Sequence, residues 1–196
     1  PPFLLIGFLF MKNFKVTSKE NGKEYWISRA NAVVGIVYTR DSNGRVMFLV
    51  SKRGSGCPDH VGKWSVTCGY LDWGETRKEA VKRELYEELG LNLEIYPNEA
   101  IDHFCTIDDP SRDVRENIVS RYLIHVDYIA TRKKLADKEI NCDTVSRGGE
   151  PNEVDDIKFV PAEDIDSYDW AFNHDQVLKE ILEYLETGRK PKYCEE

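Results

Sequence analysis

Glu84, Glu87 and Glu88 crowd together near the end of the stretch "GYLDWGETRKEAVKRELYEELGL", which runs from Gly69 to Leu91. Carboxylates one helical turn apart repel, by about 0.2–0.5 kcal/mol per exposed pair. At a burial border the cost is larger, and cations must offset it; hard divalent ions, which prefer oxygen ligands, suit the task. Local signals fix where these carboxylates point. Thr76 and Glu79 have the spacing of a capping box and Gly90 that of a C-cap glycine, so a helix is expected from Arg77 to Leu89. Val81, Leu85 and Leu89 form its apolar stripe. At about 100° per residue, Glu84 and Glu88 lie on one edge of that stripe and Glu87 roughly 60° further round. Arg83 faces another way and is expected to pair with Glu79 or Glu87, offsetting part of the repulsion. A merely solvated charged face would carry the same three glutamates, so the flanking residues decide.

Gly69, Glu75 and the run Arg83-Glu84-Leu85-Tyr86-Glu87-Glu88-Leu89-Gly90-Leu91 fill every specified position of the pattern G-x5-E-x7-R-E-U-x-E-E-x-G-U, with U aliphatic. The chain therefore resembles the Nudix hydrolases. That resemblance implies an α/β/α sandwich with a mixed β-sheet, and hydrolysis of a diphosphate linkage. It implies Glu84, Glu87 and Glu88 as ligands for Mg²⁺ or Mn²⁺, with a backbone carbonyl near Cys68 or Gly69 adding an oxygen. Glu75 and Arg83 are similar to the family's supporting pair, whose role is positioning. The family places its general base either on this helix, where Glu84 is the candidate, or in a later loop, where Glu150 and Glu153 are. The chemistry explains the acidic cluster: water must attack an already anionic phosphorus, and cations neutralise the phosphate oxygens.

A second resemblance narrows the substrate. "CTIDDPSRDVRENIVSRYL" is similar to a segment of ADP-ribose-type Nudix domains, and "DDIKFVPAEDIDSYDWAFNHDQVL" to their closing strand, phenylalanine-x-histidine turn and helix. Val114 departs from it, standing where that group usually has proline. Arg53, Arg112, Arg115 and Arg121 are candidate phosphate contacts because a planar guanidinium binds phosphate in bidentate fashion, although pairing with a nearby Asp109 or Asp113 is the commoner fate of such a loop arginine. His174 reads as a capping or core-bordering residue, and His60, His103 and His125 lack metal-ligand spacing. Trp64 and Trp73 read first as packing residues. The expected activity is metal-dependent conversion of ADP-ribose to AMP and ribose 5-phosphate. The alternatives are pyrophosphate release from nucleoside triphosphates and a catalytically silent nucleotide sensor; the intact acidic set weighs against the sensor. An isomerase of related fold would carry a catalytic cysteine in a different context from "SVTCGYL".

These residues need a scaffold, and 196 residues suffice for one. A net charge of −8 argues against a general nucleic-acid binder. Five scattered cysteines without a C-x-x-C pair read as reduced thiols in a cytoplasmic protein. The opening "PPFLLIGFLFMKNF" is too short to span a bilayer and lacks a basic n-region; a start of translation at Met11 is the preferred expectation, with a truncated signal peptide or a genuine apolar arm as the alternatives. Residues 1–11 are read as an apolar extension and residues 12–192 as a single domain. No membrane or nucleic-acid partner is expected, and the family resemblance allows a homodimer. "ANAVVGIVYTR" and "RVMFLVSKR" read as a hairpin across an Asn-Gly turn, "WSVTCGY" as a short strand, "EIYPNEAIDHFCTI" as one or two strands. "NIVSRYLIHVDYIA" reads as one long strand with Ile118, Tyr122, Ile124, Val126 and Tyr128 on one face. Residues 131–156 lack periodicity, "DIKFVP" reads as a strand, and a helix is expected over Gln176–Thr187.

Overall fold

Alternation along one central strand organises the architecture in the computed structural model, which describes residues 13–93, 100–113, 115–137 and 152–194. The chain divides into two compact units, residues 1–30 and 31–196. In the first, β1 (Phe14–Thr17) and β2 (Glu24–Ile27) form an antiparallel hairpin, with a Lys15–Glu24 ion pair at 2.9 Å across it.

The second unit is built on β3 (Asn31–Arg40), which hydrogen-bonds β4 (Val46–Arg53) and β6 (Thr67–Tyr70) antiparallel and β8 (Ile118–His125) parallel. β5 (Trp64–Ser65) and β9 (Val154–Pro161) add to β4, and β7 (Ala100–Ile107) to β8. This is the expected mixed sheet. Val33 and Val37 point to one face, where they pack with Val81, Leu85 and Leu89 of helix α1 (Arg77–Leu89). Val34 and Ile36 point to the other, against Val177, Leu178 and Ile181 of the last helix (His174–Thr187). The period-2 strand thus feeds two helices, one per face, as an α/β/α sandwich requires.

Helix α1 begins and ends where its sequence dictates. Thr76 and Glu79 form the full capping box, and Gly90 closes the helix in the left-handed region at φ 65°. Its three fully buried aliphatic residues contribute roughly 1.5–3 kcal/mol each, which outweighs the repulsion among its glutamates. Gly35 in β3 sets how close the helix lies: a Cβ there would meet Val81 Cγ2 at 3.0 Å and Leu85 Cδ2 at 3.3 Å.

Four expectations are corrected. The strand after the polar loop stops at His125, because Asp127 caps a helix, α2 (Tyr128–Ala136), through the Ala130 N–H at 2.6 Å. Tyr128 therefore leaves the face it was expected to share with Val126. The start of the aperiodic segment is helical for the same reason, and the last helix (now α3) starts two residues before the expected Gln176. Not all cysteines are thiols: Cys105 of β7 and Cys194 are disulfide-bonded, with Cα atoms 5.2 Å apart, whereas Cys57 and Cys68 are free. Cys142 lies outside the described residues. Among the described residues no helix is long and apolar enough to cross a membrane.

Candidate active site

Strand β6 and helix α1 bring the acidic residues together. Gly69, paired with Val33 in β3, lies directly under Glu84, and a Cβ at Gly69 would occupy the place of the Glu84 carboxyl group. Only glycine allows that approach.

Arg83 is the hub. Its Nη2 donates to Glu75 Oε1 at 2.7 Å and to the Tyr70 carbonyl at 2.9 Å, and its Nε to Glu75 Oε2 at 3.1 Å. Its Nη1 donates to Glu84 Oε1 at 2.7 Å and Glu87 Oε2 at 3.0 Å. The fork therefore ties the loop before α1 to the helix. The expected alternative partner, Glu79, is committed elsewhere: its carboxylate accepts from the Thr76 N–H at 2.7 Å within the capping box.

The electrostatics follow from burial. The Arg83 hydrogen bonds hold the Glu75 carboxyl below its ordinary range. Burial pushes Glu84 up to about 7, against the lowering effect of Arg83 and with Glu87 and Glu153 adding to the rise. Glu88 is raised well above the carboxylate range, first by burial and then by Glu84. Although Glu88 as a residue keeps some accessibility, its Oε2 is buried without a hydrogen-bond partner, and its Oε1 accepts only a long bond of 3.4 Å from the Cys68 N–H. Burial also pushes the Cys68 thiol well up, so its sulfur is a neutral thiol and a poor ligand for a hard ion. Among the described residues no three His, Cys, Asp or Glu side chains are already gathered as a cage. Arg83 Nη1 holds Glu84 and Glu87 instead. The donor set nevertheless fits a hard divalent cation: it is all oxygen, and the orphaned Glu88 Oε2 is a buried acceptor in need of positive charge.

The sequence model of the NUDIX domain matches residues 29–182. The chain belongs to the Nudix hydrolase family. It is 31% identical over 154 residues to an RNA pyrophosphohydrolase of a Nitratiruptor species, covering 78% of this chain and 90% of the relative. It is 26% identical over 183 residues to an ADP-ribose pyrophosphatase of Methanocaldococcus jannaschii, covering 90% of this chain and 89% of the relative. In fold it is similar to the NUDIX domain of Shewanella oneidensis NrtR, solved in complex with ADP ribose. That match has a TM-score of 0.61 at 22% identity and covers 81% of this chain and 90% of that one.

Around the Nudix helix the remaining predicted residues separate. Glu153 precedes β9, near enough to influence both Glu84 and Glu88. Its carbonyl accepts from the Gly54 N–H at 2.7 Å and the Cys57 thiol at 3.2 Å, and the Asn152 carbonyl accepts from Gly56 N–H at 2.8 Å. This end of the later loop is thus pinned to the β4–β5 loop; Glu150 lies outside the described residues. Arg53 and Arg115 converge on Asp59 and on the ring of Phe172. Arg112 does not join them, for it pairs with Asp109 at 3.6 Å and stacks on Tyr193. Arg121 is a structural cation, bonded to Glu180 at 2.9 Å and to the Tyr193 hydroxyl at 2.8 Å. His174 is buried in the core, where its Nδ1 accepts from the Val66 N–H at 3.2 Å. Trp64 packs in the core, and Trp73 is 92% exposed. Asp59 and Phe172 escaped sequence reasoning as site residues; the turn "WAFNHD" was the available signal for Phe172.

Proposed function

We propose that this Nudix hydrolase cleaves, with a divalent metal, the diphosphate linkage of a nucleoside diphosphate joined to another group, ADP-ribose being the substrate. The orphaned, buried Glu88 oxygen beside Glu84 carries the reading: such an acceptor is costly unless a cation completes it. Glu84, Glu87 and Glu88 would hold Mg²⁺ or Mn²⁺, with a main-chain oxygen at Cys68 or Gly69. Bound there, the ion would neutralise the phosphate oxygens and acidify water.

The chain's own groups supply the rest. Arg83 and Glu75 fix the helix against the preceding loop, so the carboxylates keep their spacing. Glu84 is desolvated, with one oxygen bonded to Arg83, and accepts the proton of the attacking water. Water attacks one phosphorus, the bridging P–O bond breaks, and the other phosphate leaves; ADP-ribose and water give AMP and ribose 5-phosphate. Arg53 and Arg115 bind phosphate oxygens beside the cluster. The M. jannaschii relative and the "DPSRD" segment support ADP-ribose. A second reading, release of pyrophosphate from a triphosphate, is favoured by the Nitratiruptor relative.

A substrate panel assayed with Mg²⁺ and scored by product separates them. ADP-ribose giving AMP at a higher kcat/KM than any triphosphate gives pyrophosphate is the expected result. Faster pyrophosphate release from triphosphates or triphosphate-ended RNA would overturn the substrate and leave the reaction class.

A further inference from the structure

Asp59 lies outside the Nudix signature, in the loop "GSGCPDHVGK" between β4 and β5, yet it touches two cations that arrive from distant parts of the chain. Its Oδ1 accepts from Arg53 Nη2 at 3.1 Å, and its carbonyl from Arg53 Nε at 3.1 Å. Its Oδ2 pairs with Arg115 Nη2. The two guanidinium carbons lie 4.8 and 5.3 Å from the centroid of the Phe172 ring. Arg115 also reaches the Tyr70 hydroxyl at 3.4 Å, at the end of the strand that carries Gly69. Arg53 acts electrostatically on Glu88, which places it beside the acidic cluster.

The backbone around this group is held in a sparsely populated conformation. Phe172 and Asn173 are consecutive left-handed residues, at φ 53° and 59°, and His60, next to Asp59, has φ 52°. The His60 and Phe172 rings meet edge to face, with centroids 4.6 Å apart. Bulky residues keep positive φ only where their surroundings over-determine it, and such strain gathers at binding sites. Here it fixes the ring under both guanidinium groups and the carboxylate between them.

We propose that Asp59 is a positioning residue, which yokes Arg53 and Arg115 over Phe172 into one preformed subsite for the phosphate groups of a diphosphate. The inference rests on reading the neighbouring acidic cluster as a diphosphate-cleaving site, and it adds what holds the anion there. Two guanidinium groups tied to one carboxylate present several N–H donors from fixed positions, as bidentate binding of phosphate oxygens requires. One carboxylate leaves the pair net positive. Without it, Arg53 is open to the pull of other carboxylates, Glu88 among them, and each long side chain must be ordered afresh when an anion binds. That loss outweighs the repulsion Asp59 exerts on the anion through solvent, since its side chain is 32% exposed.

The test is calorimetric binding of inorganic pyrophosphate to the full chain in EDTA, where no metal contributes. Asp59→Asn keeps an acceptor for Arg53 and loses the one for Arg115. It is expected to weaken binding about tenfold, equivalent to about 1.4 kcal/mol, with Asp59→Ala at least as weak. In an Arg115→Ala background, Asp59→Asn should change binding less than threefold, because the yoke has lost its second arm. Lys179→Ala, a surface control, should bind as wild type. Unchanged melting temperatures will show that the fold is kept. No pyrophosphate binding by the wild type, or binding by Asp59→Asn as tight as wild type or tighter, would overturn the proposal. Failure of the substrate panel with this binding pattern intact would instead count against the catalytic reading alone.

Discussion

Replacing Glu84 by glutamine isolates what the acidic site costs the fold when no metal is present. Glu84 is 9% exposed, and its pKa rises from 4.5 to about 7 on folding. The folded state therefore binds this proton more tightly than the unfolded chain does. Stability is fully present below pH 4.5, falls as the pH rises towards 7, and stays low above it. At about 1.4 kcal/mol per pH unit, the loss by pH 8 is about 3 kcal/mol. Glutamine resembles the protonated acid, so wild type and Glu84→Gln should be about equally stable in EDTA at pH 4.5. At pH 8 the variant should be the more stable by about 3 kcal/mol, or ~6–12 °C in Tm for a chain of this length. Relief of the Glu84–Glu88 repulsion acts in the same direction. Urea denaturation of both proteins in EDTA across this range reads the difference directly. A difference that does not change with pH, or a variant less stable than wild type at pH 8, would refute the account of a desolvated carboxylate at this position.

His174 produces the opposite slope: burial lowers its pKa from 6.5 to about 3, so stability is lost as the pH falls below 6.5. Measured in the Glu84→Gln, Glu88→Gln background, which removes the opposing slopes of both buried carboxylates, urea stability should drop by about 2 kcal/mol between pH 7 and 5. Gly69→Ala should displace the Glu84 carboxyl group, lowering kcat about 10²-fold with a stability change of about 1 kcal/mol; steady-state kinetics beside a melting curve checks both. Arg83→Lys cannot serve Glu75, Glu84, Glu87 and the Tyr70 carbonyl at once. It should lower kcat by ~10–100-fold, read in saturating Mg²⁺, although the charge is kept.

Much of the scaffold was legible because its signals are local. The capping box, Gly90 and the 3.6-residue stripe fix α1 to the residue, and the continuous apolar run in "ANAVVGIVYTR" suits the central strand that the helices cover on both faces. The same helical periodicity placed three carboxylates on the border of the buried face. Reading failed where a local signal competed with a longer pattern. The β-type alternation through Val126 and Tyr128 masked Asp127 as a helix cap, and α2 was taken for strand. It failed again where contacts join distant segments. Asp59, Arg53, Arg115 and Phe172 meet only because β4, the loop before β8 and the turn into α3 end at one place. Cys105 and Cys194 pair for the same kind of reason, the last turn of the chain lying against β7. Of the arginines, composition nominated four alike, and only the folded chain sends Arg112 and Arg121 to Tyr193 while Arg53 and Arg115 go to Asp59.

The central claim is that Glu84, Glu87 and Glu88 form the metal-dependent centre for hydrolysis of a diphosphate linkage. The most direct measurement is turnover of ADP-ribose by the folded Glu87→Gln, Glu88→Gln double variant beside wild type, each titrated with Mg²⁺ and then treated with EDTA. Wild type should release AMP only while Mg²⁺ is present, and the double variant should lose at least ~10³-fold in kcat/KM while melting at or above the wild-type temperature in EDTA. Wild-type turnover that persists in EDTA, or full activity in the double variant, would contradict it.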